Sequence, residues 1–145
     1  MRRCVNCGAT KLTASTVEHK IRVGRRSFAV TVPAAVCAAC GESYVAGDDL
    51  AHAELDVAAR VARGGSTDGA AFRFMRKALG LRAAEVAEAL AVRAETVSRW
   101  ETGKTPVDRA AFLALAAMVD EAIHGGTTIH DILRALGFRG AQAAG

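Results

Sequence analysis

Two periodicities divide this chain. Before residue 46 apolar and polar positions alternate, and after residue 69 apolar positions recur every three or four residues. Phe28, Val30 and Val32 alternate with Ser27, Ala29 and Thr31, the period of a half-buried strand, and 16–23 is a β-branched partner for it. Gly24-Arg25-Arg26 reads as the hairpin turn between them. Pro33 should end the second strand, because proline cannot donate to a sheet ladder.

The helical signals follow. Asp48 or Asp49 is expected to cap a connecting helix to about Arg63, anchored by Leu50, Leu55, Val57 and Val61. Gly64-Gly65-Ser66-Thr67-Asp68-Gly69 has the composition of a flexible linker. Thr67 or Asp68 then opens a helix over 70–79, closed by Gly80. A short helix over 83–90 turns Val86, Ala87 and Leu90 inward, and three residues separate it from a helix over 94–102 that ends at Gly103. Thr105-Pro106-Val107-Asp108 supplies a hydroxyl cap and a proline at the first helical position of a long helix to about Ile123. Phe112, Leu115, Ala116 and Val119 share one face of it. Thr128 caps a last helix over 129–136.

These elements predict an α+β chain: a small β domain over 1–46, a connecting helix and linker over 47–68, an all-α five-helix domain over 69–137, and a tail over 138–145. Two short helices around a three-residue turn have the form of a helix-turn-helix. Val97 and Trp100 would hold its second helix down, leaving Glu95, Thr96 and Arg99 to face the major groove of DNA. The formal net charge of +4 permits a nucleic-acid partner without requiring one.

The chain has four cysteines, in two C-x-x-C pairs, Cys4/Cys7 and Cys37/Cys40, each followed by glycine. Four thiolates match the closed tetrahedral shell of one structural Zn2+. Other readings fit less well. Disulfides suit a secreted chain, but Met1-Arg2-Arg3 meets Cys4 without the apolar segment of a signal peptide. A redox pair belongs beside a βαβ unit, and a catalytic zinc keeps an open position. With no apolar run near the ~20 residues of a membrane span, the expected location is cytoplasmic.

Beyond these derivations, 79–92 followed by Thr96-Val-Ser-Arg-Trp-Glu-Thr-Gly-Lys104 and Pro106 resembles the Cro/Xre-type helix-turn-helix. The stretch 32–44 after an opening C-x-x-C-G is similar to the zinc finger of YgiT-type proteins, and the two in this order resemble MqsA-type antitoxins. That likeness implies a non-enzymatic, homodimeric repressor that binds operator DNA and a cognate toxin. It implies DNA contacts from Arg93, Thr96, Arg99 and Lys104, with Arg82 and Lys77 as weaker candidates, and a structural ion pair between Arg76 and Glu101. Two positions depart from the family. Ala83 stands where a phosphate-holding glutamine is common. Glu95 stands where relatives place an amide, so it either accepts from a cytosine amine or contacts nothing. The alternative is a stand-alone zinc-containing Xre-type regulator or interaction module without a toxin; an enzyme using Cys4 or Cys37 ranks third.

Overall fold

The computed structural model describes residues 3–126; the expected helix over 129–136 and the tail over 138–145 lie outside them. The chain divides into two compact units, Met1–Glu54 and Leu55–Gly145.

In the first unit, β1 (Leu12–Val23) and β2 (Arg26–Cys37) form a long antiparallel hairpin, in register from Val23↔Arg26 to Leu12↔Cys37. A short β3 (Ser43–Tyr44) pairs with Ala35 and Val36, giving the order β1-β2-β3. Both long strands exceed the sequence reading. Pro33 does not end β2 but lies opposite Thr16. Because β3 flanks β2 only at Ala35 and Val36, the other edge of β2 is open at Pro33 among the described residues, where a missing N–H costs little. The turn is also tighter than expected. Arg26 already belongs to β2, and Gly24 takes φ 61° at the first central position, as a two-residue hairpin of the primed kind requires. Ile21, Val23, Val30, Val32 and Ala34 are buried, with Cys4 and Cys37 completing this small core.

Helix α1 (Gly47–Arg63) begins one residue before the expected cap. Asp48 and Asp49 fall in its first turn and Arg60 and Arg63 in its last, the charge order that complements a helix dipole. Its buried stripe is Ala53, Val57, Ala58 and Val61, while Leu50 and Leu55 are only half-buried.

The second unit packs α2 (Gly69–Ala78), α3 (Ala83–Ala89), α4 (Ala94–Glu101) and α5 (Arg109–His124) around Phe72, Met75, Val97, Leu115 and Val119. The ring of Phe72 meets Trp100 edge-on, with centroids 5.6 Å apart. Asp68 caps α2 by accepting from the Ala71 amide at 2.8 Å. Asp108, rather than Thr105, caps α5, accepting from Ala111 at 2.9 Å, so Pro106 precedes the helix. Thr105 instead donates its amide to the Arg99 carbonyl, closing the end of α4.

The turn after α3 carries one strained residue. Ala91 has φ 53°; its amide bonds the Glu88 carbonyl and the Val92 amide bonds Ala87, a Schellman ending whose left-handed position usually holds glycine. Left-handed backbone costs an L-residue ~1–2 kcal/mol, and glycine gives back roughly 0.4–1 kcal/mol through unfolded-chain entropy. Ala91→Gly should therefore stabilise this unit by about 0.5–1 kcal/mol. A melting temperature at or below the parent's contradicts that.

Candidate metal centre and nucleic-acid interface

The two cysteine pairs are built alike. Gly8 donates its amide to the Cys4 carbonyl and Gly41 to the Cys37 carbonyl, both at 2.9 Å, with φ of 76° and 77°. Cys4 in turn donates to the Ala9 carbonyl and Cys37 to that of Glu42, both at 2.8 Å. Each loop thus buries its first cysteine, Cys4 or Cys37, and leaves Cys7 or Cys40 exposed. The long hairpin closes the chain between them, with Cys37 at the end of β2 opposite Leu12.

The four Sγ atoms lie within 4.8 Å of one another, with Cys4–Cys40 at 3.5 Å and Cys7–Cys37 at 3.6 Å. A tetrahedron of Zn–S bonds ~2.3 Å long has edges of ~3.8 Å, close to these two separations, so the donor set has the size and chemistry for one zinc. Charge leads to the same conclusion, since four thiolates this close repel unless a cation divides them. Without one the protons distribute unevenly. Cys4 is drawn down to about 6, first by the Tyr44 hydroxyl and then by the Cys7 amide. Cys37 is lowered by the amides of Cys40 and Ala39. At Cys7 the Ala9 amide pulls down, but the sulfurs of Cys40 and Cys37 together push it up to about 12. Cys4, Cys7, Cys37 and Cys40 hold one structural zinc. Bound, it makes the site 2−, and the formal net charge of the chain falls from +4 to +2.

The other predicted residues lie on the helical unit. Val97 and Trp100 are buried beneath α4, and Glu95, Ser98 and Arg99 are exposed on its far side, with Thr96 half-buried between. Arg93 is the exposed N-cap residue of α4, and Lys104 is exposed just after Gly103. Lys77 is exposed in the last turn of α2. The Thr102 hydroxyl is engaged within α4, donating to the Ser98 carbonyl at 2.9 Å.

Arg76 and Glu101 face each other in a two-pronged pair: Nε to Oε2 at 2.7 Å and Nη2 to Oε1 at 2.8 Å. The third guanidinium nitrogen donates to the Leu81 carbonyl at 2.9 Å, so one side chain ties α2 to both α4 and the loop before α3. Glu101 raises the Arg76 pKa above its ordinary value. At 11% and 9% side-chain exposure, this pair is part of the core rather than a surface for ligands.

Arg82 is differently engaged from the reading above. Its Nε donates to Glu85 Oε1 at 2.9 Å, and its backbone N–H reaches the same oxygen at 3.0 Å. Glu85 is buried, and its Oε2 has no hydrogen-bond partner among the described residues. Sequence reasoning missed this carboxylate because the familiar cue, serine or threonine three residues before glutamate, is obscured by arginine at the cap. The Arg82 side chain, followed by its amide, lowers the Glu85 pKa. The stabilisation is therefore complete above the ordinary carboxylate range and lost as pH falls through the depressed folded value.

Among the described residues no helix is long and apolar enough to cross a membrane. No curated protein and no solved structure matches the chain. One family model does match, over residues 1–125, and it covers both the cysteine unit and the helices α2–α5. The chain belongs to the MqsA family, the antitoxin component of a bacterial toxin-antitoxin system.

Proposed function

We propose that this antitoxin is a sequence-specific repressor that binds operator DNA through α4, while its zinc unit binds a cognate toxin. The observation carrying the DNA reading is the division of α4. Val97 and Trp100 are fixed inside, Glu95, Ser98 and Arg99 are exposed on the opposite side, and Arg93 is exposed at the N-cap. A helix held this way offers a rigid row of polar side chains to a major groove. Arg99 is the principal reader, because its fork matches guanine O6 and N7 together. Thr96 and Glu95 flank it, and Arg93, Lys104 and Lys77 meet phosphates. Arg82 contributes through the part of its guanidinium not held by Glu85.

The functional unit in this proposal is a homodimer, since one short helix reads too few base pairs and paired half-sites lie ~34 Å apart. Helix α5, on which Leu113 is 70% exposed, and the segment 129–136 provide the dimer surface. The division of labour is 1–46 for zinc and toxin, 47–68 as connection, 69–137 for DNA and dimerisation, and 138–145 as tail. The protein acts in the cytoplasm as a regulator and not as an enzyme.

The test is binding to a duplex from the chain's own promoter at fixed salt. Arg99→Ala should weaken it by about 10–100-fold, corresponding to ~1–3 kcal/mol, and relax discrimination at one base pair. Lys104→Ala should weaken all duplexes alike and reduce the salt slope by about one. Unchanged operator affinity in Arg99→Ala rules out this docking mode. Recovery of a toxin with the full chain, lost on disruption of the zinc unit, tests the second half.

A further inference from the structure

Tyrosine occurs once in the chain, at Tyr44, and that residue lies beside the metal cage. Its hydroxyl oxygen is 2.9 Å from the Val5 amide nitrogen and 3.2 Å from Cys4 Sγ. The amide can only donate, so the phenol oxygen is the acceptor there. A phenol has one proton of its own, and the sulfur is the partner left to take it. A zinc-bound thiolate has no proton to give, so with the metal held the second bond runs from the Tyr44 O–H to the Cys4 sulfur.

Position in the fold makes this more than a local contact. Tyr44 belongs to β3, just beyond the second cysteine loop, and its two bonds both reach the first loop, some 40 positions earlier in the chain. The residue is held there by pairing with Ala35 at the end of β2. Among the described residues a second polar side chain near a sulfur is Asn6, whose amide lies a longer 3.7 Å from Cys40 at an exposed position.

We propose that Tyr44 is a positioning residue for the zinc: its hydroxyl, locked by the Val5 amide, donates to the Cys4 thiolate and sets how tightly the cage retains the metal. Four thiolates around one zinc leave a 2− site, and a donor to one sulfur disperses that charge. The same bond fixes the Cys4 side chain in its bound orientation. Partners of this kind typically change metal affinity 10–100-fold.

A purely structural role for the ring is separable, because Tyr44→Phe keeps the ring and deletes only the hydroxyl. In chelator competition with the full-length chain, the phenylalanine variant should bind zinc about 10–100-fold more weakly. In the cobalt-substituted variant the sulfur-to-metal charge-transfer band should move to lower energy, since the Cys4 sulfur has lost its donor. Zinc affinity within twofold of the parent, with an unmoved cobalt band, overturns the proposal. Replacing the single tyrosine by 3-fluorotyrosine, a stronger donor, provides an arm that does not depend on the phenylalanine variant folding. Zinc release to the chelator should then be slower than from the parent; release that is equal or faster also overturns it.

Discussion

Stripping zinc from the full-length chain is expected to abolish the sheet of residues 12–44 and leave α2–α5 folded. Among the described residues the apolar core of the hairpin is five small or β-branched side chains, plus two cysteines that are themselves ligands. At 0.05–0.15 kcal/mol per residue, a unit of this size has roughly 3–8 kcal/mol of net stability. Structural zinc contributes about 10–16 kcal/mol in small zinc domains, so its loss exceeds the margin. Amide exchange should show β1–β3 unprotected after chelation and the Phe72–Trp100 region still protected. A sheet that stays protected without metal would refute the claim. Cys37→Ser should reproduce the effect, since Cys37 is both ligand and core residue.

Gly69→Ala should be the most damaging single methyl in the helical unit. A Cβ on Gly69 overlaps the Trp100 carbonyl oxygen and comes within 3.0 Å of its carbon and 3.1 Å of the Glu101 carbonyl carbon. Those atoms are α4 backbone, which no rotamer change can move. Relief requires the start of α2 to withdraw from the end of α4, loosening the Phe72–Trp100 contact and the Arg76–Glu101 pair nearby. Overpacking of this type costs ~1–3 kcal/mol, and against fixed backbone the upper end applies. For a unit of this length that is a fall in melting temperature of about 10–20 °C. A variant that melts with the parent would show that the two helices separate freely there.

The metal centre was legible because its information is local: two C-x-x-C-G loops specify ligand number, spacing and backbone at once. The helices were legible for the same reason, since caps and glycines stand at their ends. What escaped depends on partners distant in sequence. Pro33 reads as a strand end until the short reach of β3 is known. Tyr44 is an unremarked aromatic until Val5 and Cys4 surround it. Glu85 looks like one more surface acid on an amphipathic helix, and its burial follows only from how α3 packs. The Arg76–Glu101 pair, 25 residues apart, came from family likeness; no periodicity links the two positions. Ala91 gave no signal, because the residue expected in a left-handed turn is glycine.

Strand β1 is twelve residues long and pairs only with β2, so among the described residues its outer border has no neighbour. Such a border is a template for unwanted stacking between copies, and proteins guard against it with charge. Glu18, Lys20 and Arg22 are exposed along this stretch and supply that guard. Neutral replacements at Lys20 and Arg22 would leave the fold intact while making concentrated solutions prone to fibrous precipitation.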